Sequence, residues 1–218
     1  MNIPEISVII SVHNHEKWIE RCLRSLLSQI EVKTSDYEII IIDDCSKDSS
    51  PLIIEKFNKK FENIKFLKNK NNLGLQKSIN KAITSSNGRY IVRVDSDDYV
   101  SKNFLFFMKF FLDKNRHYQA VAVDYNKIDE DEKILDRIDA SKEEIACGIM
   151  FRRDSLISLG LYNEKFNMRE GHELKKRFLK IYKIGYLELP LYNYRMHISN
   201  RTKDLDLVKK FDKKLSEI

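Results

Sequence analysis

Two short groups of acidic side chains could do chemistry in this sequence. Asp95, Asp97 and Asp98 place three carboxylates within four residues, and Asp43 and Asp44 form a second group. Carboxylates this close together repel one another, and a divalent cation whose other ligands are phosphate oxygens would relieve that repulsion. The turn at residues 95–98 therefore predicts a metal site. A solvated turn that caps the following helix is the alternative for such a motif taken alone.

Each acidic group follows one of four runs that predict buried strands. Residues 6–12, 37–42, 64–67 and 90–94 are apolar and rich in β-branched side chains, which is typical of parallel strands covered on both faces. Helical spacing predicts amphipathic helices between them, at residues 18–30, from Ser50-Pro51 onwards and at 74–86. Strict alternation of strand and helix predicts an α/β fold with a mainly parallel central sheet flanked by helices.

Ligands of such sheets bind beyond the carboxyl ends of the strands. Both acidic groups lie at predicted strand ends, and the first strand ends on Val12, His13 and Asn14. Neither a GxGxxG fingerprint nor a Walker A sequence occurs in the chain, so an ordinary dinucleotide or ATP fold is not indicated.

The second half of the chain has a less regular pattern. It predicts an aromatic-rich helix from Asn103, strands at 120–125 and 146–151, an acidic loop at 129–136, a helix from about 170 to 184, and short strands near Leu187 and Tyr192. Residues 204–218 predict an amphipathic helix with the apolar stripe Val208, Phe211, Leu215 and Ile218. We expect this helix to dock on the body of the protein or on a membrane surface.

The composition is that of a soluble globular chain with room for one domain. The 218 residues are 42% hydrophobic and 33% charged, with 6 Gly and 3 Pro, which excludes a fibrous or disordered protein. A net charge of +6 favours anionic partners. Three widely spaced cysteines predict neither a disulfide framework nor a zinc site, and they fit the reducing cytosol. The sequence predicts no secretory signal and no membrane-spanning helix.

Several segments of the chain resemble, in the same order, the motifs of the family 2 glycosyltransferases of the GT-A fold. Residues 7–14 resemble the family's first strand, 40–48 its nucleoside-binding segment, 72–80 its N-x-G helix, and 95–98 its DxD motif. Residues 169–174 resemble the acidic acceptor-side motif, and 194–197 the terminal segment with a metal-contacting histidine. The resemblance implies one domain over residues 1–203, with a nucleotide-binding half at 1–100 and a smaller, mixed acceptor-side half at 101–203.

This resemblance implies transfer of a sugar from a nucleoside diphosphate sugar to an acceptor hydroxyl, in the synthesis of a surface polysaccharide or similar glycan. The implied nucleotide-binding residues are Val12, His13, Asn14, Asp43, Asp44, Asn72, Gly74, Asp95 and Ser96. Asp44 could accept a hydrogen bond from a pyrimidine imide, which favours UDP or dTDP. An inverting mechanism is a hypothesis.

The resemblance also implies a Mn²⁺ or Mg²⁺ ion on Asp97, with Asp95 and His197 as further ligands, which would stabilise the departing diphosphate. A partly buried structural histidine is the alternative for His197. On the acceptor side the resemblance implies Arg169. Gly148 would give the acceptor close access to the backbone, or mark a bulge.

The chain departs from the family at the general base. The family shows Glu-Asp in the acceptor-side motif, with the aspartate as base, whereas this sequence has Glu170-Gly171. Glu170 is the first candidate for the missing base, and Glu173 and His172 are the alternatives. A salt-bridged, solvent-facing first helical turn would also explain the two glutamates and Arg169. A degenerate transferase that binds nucleotide sugar without turnover is therefore the rival to an active enzyme.

The expected partners are a nucleoside diphosphate sugar and a glycan, lipid-linked or protein-linked acceptor. A basic nucleic-acid-binding module is a third interpretation of the charge. Because the basic residues are scattered among acidic ones and no nucleic-acid signature occurs, we expect no nucleic-acid partner. The expected location is cytoplasmic, with peripheral contact at the inner face of the cell membrane if the C-terminal helix is an anchor.

Overall fold

Nine strands and seven α-helices form the part of the chain that the computed structural model describes, residues 3–143 and 145–217. The strands are β1 Ile6–Val12, β2 Tyr37–Asp43, β3 Ile64–Lys68, β4 Tyr90–Arg93, β5 Tyr99–Val100, β6 Ala120–Ile128, β7 Ile134–Ile138, β8 Ile149–Arg152 and β9 Ile184–Arg195. The α-helices are α1 Ile19–Leu27, α2 Ser50–Lys60, α3 Leu75–Thr84, α4 Phe104–Lys114, α5 Arg153–Ser158, α6 Glu170–Leu179 and α7 Leu205–Ser216. Short 3₁₀ helices cover Thr34–Asp36 and Arg201–Lys203.

The first half of the chain forms the parallel part of one sheet, as predicted. Strands β3, β2, β1 and β4 lie side by side in that order, and all three pairs are parallel. Val12 pairs with Asp43, so the polar residues that follow β1 and β2 lie at the same edge of the sheet. Residues 95–98 follow β4, the other neighbour of β1, and reach that edge as well.

Alternate residues of β1 pack into two apolar cores on opposite faces of the sheet. Val8 and Ile10 belong to the core that contains Leu23 of α1, whereas Ile9 packs with Ile79 of α3. Burying an Ile, Val or Leu side chain stabilises the fold by about 1.5–3 kcal/mol. The polar residues at the strand ends are therefore attached to well-packed, stable strands.

The second half of the sheet is mixed, and several sequence predictions are corrected there. Strand β8 lies antiparallel between β4 and β6, while β9 runs parallel to β6 and antiparallel to β5. The predicted acidic loop at 129–136 is in part β7, which pairs with β6. The short strands predicted near Leu187 and Tyr192 are one strand, β9, whose register with β6 shifts at Asp124. The helix predicted to reach residue 184 ends at Leu179, and neither β5 nor α5 was predicted.

Helix α7 packs on the body of the protein through the predicted apolar stripe. Phe211 is buried against Phe166, with ring centroids 5.8 Å apart, and Val208 and Leu215 are partly buried in the same cluster. Ile218, the last residue of the predicted stripe, lies outside the described residues. The stripe serves packing, so contact between this helix and a membrane stays a prediction. Within the described ranges, no helix has both the length and the apolar character needed to cross a bilayer.

Candidate active site

Predicted nucleotide-binding residues from separate loops form one hydrogen-bonded cluster. The ring of His13 donates from Nδ1 to the Asp44 carbonyl oxygen at 2.9 Å, which leaves Nε2 to accept from the Asn14 amide at 3.1 Å. The amide nitrogen of Asn72 lies within 3.4 Å of the same ring. Val12 is buried beneath the cluster, where its carbonyl accepts from the Asp44 backbone amide. Because His13 and both asparagines are exposed, the cluster offers amide and imidazole groups to a ligand.

The carboxylate of Asp44 organises the loop that carries Asn72 and Gly74. Its Oδ1 accepts from the Asn69 side chain at 2.9 Å and from the Leu73 amide at 2.8 Å, and its Oδ2 accepts from the Gly74 amide at 2.8 Å. Gly74 has a φ of 87°, a left-handed conformation that favours glycine. Since a carboxylate has about four acceptor positions, these bonds use most of them. The predicted contact with a pyrimidine imide is therefore confined to the remaining position on Oδ2.

Two further predicted nucleotide-binding residues, Asp43 and Ser96, are buried and bonded to the backbone. Asp43 Oδ1 accepts from the Ser46 amide at 3.2 Å. Ser96 Oγ donates to the Ser11 carbonyl at 3.0 Å and lies 2.7 Å from Nδ1 of His15. These bonds tie the turn after β4 to the end of β1.

Asp97 and His197 meet at this edge of the sheet although 100 positions separate them in the chain. His197 Nε2 lies 2.9 Å from Asp97 Oδ2. Burial works to raise the pKa of Asp97, but the hydrogen bond from His197 and the charge of His15 hold the pKa below its ordinary value. Nδ1 of His197 lies 2.8 Å from Ser199 Oγ, which orients the ring. The ring of Trp18 lies 5.7 Å from the His197 ring and covers one side of the Asp97–His197 pair.

This pair fits a divalent cation. A carboxylate oxygen and an imidazole nitrogen are both suitable ligands for such an ion. The two side chains already face each other, with His197 Nε2 2.9 Å from Asp97 Oδ2. His197 could hold the ion through Nε2, with Ser199 beside Nδ1 in the place of the outer contact that metal-bound histidines usually make.

Asp95, the third predicted ligand, forms a salt bridge with Arg93. Its carboxylate accepts from Arg93 Nε at 2.6 Å and from Nη2 at 3.1 Å, while Nη1 of the same guanidinium donates to Glu170 Oε1 at 2.9 Å. The side chains of Arg93 and Glu170 are only 7% and 8% exposed. Burial works to raise the pKa of Glu170, but Arg93 outweighs burial and lowers it, so this carboxylate is ionised. Arg93 thus links the acidic turn to the acceptor-side motif.

A second group of possible ligands consists of Asp95, Asp98 and Cys147, whose ligand atoms lie within 4.8 Å of one another. Asp98 is already bonded, accepting from the Arg195 amide at 2.8 Å and from the Tyr192 hydroxyl at 2.7 Å. Burial, and after it the neighbouring carboxylates, raise the pKa of the Cys147 thiol. A sulfur ligand suits softer metals than Mn²⁺ or Mg²⁺. The donor chemistry therefore favours the aspartate–histidine pair.

The alternative bases on α6 are engaged in other contacts. Glu173 is buried and accepts from Arg177 Nε at 2.7 Å, from Arg177 Nη2 at 2.9 Å and from the Asn163 amide at 3.2 Å. Arg177 in turn donates to two carbonyls of the loop before α6, which gives Glu173 a structural role. His172 is half-buried and makes contacts within the protein. Of the three predicted bases, Glu170 is the one that Arg93 joins to the acidic turn.

Backbone packing and conformation explain the glycines at two acceptor-side positions. A Cβ atom at Gly171 would lie 2.3 Å from the Cβ of Ala146, so an aspartate would not fit here unless the neighbouring segment moved. Gly148 is buried and has a φ of 70°, which favours glycine for conformational reasons. Arg169, which precedes α6, also has a left-handed φ of 61° and forms a salt bridge with Asp212 of α7 at 2.7 Å.

Four residues of this region were missed from the sequence. Arg93 had a signal, because a charged residue in an otherwise apolar strand needs buried partners. Arg195 packs its guanidinium over Trp18 at 4.5 Å and donates to the Asp97 carbonyl at 3.0 Å. His15 and Trp18 follow β1 directly, and nothing in their spacing separates them from ordinary residues that open a helix.

A parallel half-sheet that joins a mixed half, with helices on both faces, is the arrangement of the GT-A glycosyltransferases. Residues 7–198 match the family model described as Glycosyl transferase family 2, and the chain belongs to that family. The resemblance inferred from the motifs is thereby confirmed.

Known proteins of the same class cover different parts of the chain. A poly(ribitol-phosphate) beta-glucosyltransferase of Bacillus spizizenii is 43% identical over 102 residues, which are 46% of this chain and 16% of that protein. The structure of Staphylococcus aureus TarS with UDP-GlcNAc has a TM-score of 0.78 at 23% identity, covering 92% of this chain and 61% of the other. The mannosyltransferase PcManGT of Pyrobaculum calidifontis with GDP-Man and Mn²⁺ has a TM-score of 0.70 at 16% identity, covering 92% and 59%. This chain spans less than two thirds of the length of each.

Proposed function

We propose that the protein transfers a sugar from a nucleoside diphosphate sugar, with UDP or dTDP as leaving group, to an acceptor hydroxyl of a cell-surface polysaccharide. The observation that carries the proposal is the meeting of Asp97 and His197 at the sheet edge that also holds His13 and Asn72. Asp44 Oδ2 has one position left to accept a hydrogen bond, and this position suits the N–H of a pyrimidine imide. Relatives named as poly(ribitol-phosphate) glycosyltransferases support a polymer hydroxyl as the acceptor. The structure of TarS with UDP-GlcNAc supports a UDP-sugar as the donor.

Asp97 and His197 are the residues that would hold the cation, which as a Lewis acid would neutralise charge on the departing diphosphate. The other groups at this edge bind and orient the donor. The exposed amides of Asn14 and Asn72 can donate to the nucleotide, and Trp18 limits the access of water to the aspartate–histidine pair.

Glu170 is the group that we propose as acceptor of the proton from the attacking hydroxyl. Arg93 keeps it ionised, which is the form a base needs, and also makes it a weak base. A weak base suffices when the proton moves late, because a hydroxyl oxygen becomes strongly acidic once it bonds to the anomeric carbon. Direct displacement of the diphosphate in this way inverts the anomeric centre.

A protein that binds nucleotide sugar without turnover is the second candidate. Two observations favour it: position 171 has no room for an aspartate, and Glu170 is already paired with Arg93. Such a protein would bind nucleotide and cation normally and release no UDP from a UDP-sugar. Measuring UDP release beside nucleotide binding separates the two functions.

Thermal shift with UDP, dTDP, GDP and ADP, each with and without Mn²⁺, tests the donor and the cation together. A ligand at 100 times its Kd stabilises the native state by about 2.7 kcal/mol, or roughly 5–10 °C for a chain of this size. We expect that shift with UDP or dTDP plus Mn²⁺. Asp97→Asn should remove the Mn²⁺-dependent part, and Asp136→Asn, at an exposed position of β7, should retain it. Equal shifts with all four nucleotides would contradict the proposal.

A further inference from the structure

The edge of the sheet opposite the candidate active site carries three neighbouring segments, which we call the far-edge surface: residues 114–119, 153–158 and 179–183. Strands β6 and β9 run in the direction of β1 and β8 runs against them, so β6 and β9 begin and β8 ends at this edge. The Gln119 amide donates to the Lys183 carbonyl at 3.1 Å, which joins the first segment to the third. The hydroxyls of Ser158 and Tyr182 lie 2.9 Å apart, which joins the second segment to the third.

The far-edge surface has an excess of positive charge. It contains one acidic residue, Asp154, and five basic residues, so its net charge is +4. The basic residues are Lys114, Arg116, Arg153, Lys180 and Lys183, and all except the half-buried Arg153 are exposed. Beside this surface, the carboxylates of Glu5 and Asp113 form salt bridges with Lys109 and Arg89, so these four groups balance one another.

Exposed apolar side chains lie among these basic groups. Ile181 is 69% exposed and Leu179 is 51% exposed, although both belong to one short turn between α6 and β9. Ile157 of the second segment is exposed as well. On α4, Phe110 is half exposed, and Lys114 Nζ lies 5.7 Å from the centre of its ring. Apolar groups surrounded by basic ones are typical of surfaces that contact the headgroup region of an anionic bilayer.

We propose that the far-edge surface binds an anionic membrane. The basic side chains would contact lipid phosphates and carboxylates, and Ile181 and Leu179 would enter the boundary between headgroups and acyl chains. Membrane binding goes beyond the proposed function and does not require it.

A soluble polyanion is the other partner that the positive charge would suit. Such a polymer would contact the basic groups alone and leave Ile181 and Leu179 in water, whereas a bilayer covers both kinds of side chain. Helix α7 offers no comparable surface, because its apolar residues pack in one cluster with Phe166 and Met168 of the body. The geometry therefore favours a membrane at the far edge.

Membrane contact at this edge would turn the candidate active site away from the lipid. Strand β1 has seven residues and spans about 23 Å, so the site would lie at least about that far from the far-edge surface. If the proposed function is right, this distance favours an acceptor that extends from the membrane, such as a long glycan, over a lipid headgroup.

Flotation with phosphatidylcholine vesicles, with and without about 30% phosphatidylglycerol, tests the role of charge. The triple variant Lys114→Gln, Arg116→Gln, Lys183→Gln should weaken binding to the anionic vesicles about tenfold at low salt. The matched control is Lys209→Gln, Lys210→Gln, Lys213→Gln, which removes the same charge from exposed lysines of α7. This control should change binding less than about twofold.

A second variant tests the apolar contact, which separates a membrane from a soluble polyanion. Ile181→Gln should weaken vesicle binding about fivefold and leave binding of phosphorylated dextran unchanged, because only the bilayer covers this side chain. Ile134→Gln, at an exposed position of β7, is the matched control and should bind vesicles like the wild type.

Equal binding of neutral and anionic vesicles would overturn the proposal, as would equal weakening in both triple variants. A loss confined to the α7 variant would overturn it in favour of that helix. Vesicle binding that Ile181→Gln leaves unchanged, beside equally tight binding of phosphorylated dextran, would overturn it in favour of a soluble polyanion.

The thermal shift with UDP and Mn²⁺ separates this inference from the proposed function. All of the variants should retain the wild-type shift, because the substituted residues lie outside the candidate active site. A normal shift without vesicle binding in the wild type would refute the membrane surface and leave the proposed function standing. Vesicle binding lost in the far-edge variants, without any nucleotide shift in the wild type, would support the surface and refute the proposed function.

Discussion

Arg93 is a buried cation that two carboxylates from opposite halves of the chain neutralise. Taking a guanidinium out of water is unfavourable unless its charge is paired, and the carboxylates of Asp95 and Glu170 provide that pairing. Asp95 is thereby paired with the arginine, and under the proposed function Asp97 and His197 would hold the cation. One unpredicted residue thus contacts two predicted ones.

The first prediction concerns Glu170. Glu170→Gln retains an oxygen that can accept from Arg93 but cannot take a proton, so transfer should fall by roughly 10²–10⁴-fold while UDP and Mn²⁺ binding persist. The measurement is UDP release from UDP-sugar in the presence of acceptor, beside thermal shift with UDP. Glu173→Gln is the matched control on the same helix, and it should lower stability through its ion pair with Arg177 more than it lowers transfer.

Transfer that survives in Glu170→Gln and is lost in Glu173→Gln would contradict the assignment of the base. Loss of UDP binding in Glu170→Gln would instead mean that the variant disturbs Asp95 through Arg93. Such a disturbance of Asp95 can be recognised because the Mn²⁺-dependent thermal shift with UDP would fall as well.

A second prediction follows from the close contact of Gly171 with Ala146. Gly171→Ala should destabilise the fold by about 1–3 kcal/mol, because the new Cβ atom would lie 2.3 Å from the Cβ of Ala146. Urea unfolding measures the loss. The double variant Gly171→Ala, Ala146→Gly should recover part of it, since the overlapping methyl group is gone. A single variant as stable as the wild type would show that the segment around Ala146 gives way easily, and an aspartate at position 171 would then be tolerated.

Residue types at strand ends could be predicted from the sequence, but their hydrogen-bond partners could not. Asp44 was correctly placed beyond a buried strand, yet its partners Asn69, Leu73 and Gly74 come from a loop 25–30 positions later. That loop decides which hydrogen-bond acceptor positions of the Asp44 carboxylate are already used. The same limit applies to position 171, where a contact with Ala146 that no spacing indicates decides the residue type.

The elements of the parallel half were predictable because β1, β2 and β4 are largely apolar and buried on both faces. Strand β7 was missed because four of its five residues are exposed and it pairs with β6 alone, so no buried face imposes alternation. Strand β9 was divided into two because Pro190 and the register shift near Asp124 interrupt its pattern. Strand β5, at two residues, is too short for any periodicity.

Helix α7 supports the third prediction, because Asp212 holds Arg169 immediately before α6. Both side chains are partly exposed, so Asp212→Asn should change global stability by less than about 1 kcal/mol. Its local effect should be larger: the amides of residues 169–173 should exchange faster with solvent, since the Glu173 amide bonds to the Arg169 carbonyl there. Hydrogen exchange followed by mass spectrometry measures this. Asp206→Asn, at an exposed position of the same helix, should leave exchange unchanged, and acceleration in both variants would contradict a specific role for Asp212.

The two halves of the molecule share one sheet and the apolar cores on both of its faces. Strand β4 of the first half lies between β1 and β8, and β8 belongs to the second half. The larger apolar core likewise includes Val8 and Leu23 from the first half and Met150 and Tyr192 from the second. A chain that ended near residue 100 would leave β4 with an unpaired edge and half of that core exposed. Neither half contains a complete folding unit.

The last prediction is that the halves unfold together. Trp18 is the only tryptophan of the sequence, and its ring contacts His197, so its fluorescence reports the junction of the two halves. Far-ultraviolet circular dichroism reports the helices and strands of both. Because the sheet and the core are continuous, urea should produce one transition with the same midpoint by both probes, which is the test of two-state unfolding. A tryptophan transition at lower urea than the loss of secondary structure would mean that the acceptor half detaches while the parallel half stays folded. The contacts between the two halves would then be less stable than the core of the parallel half, and the site would depend on those contacts.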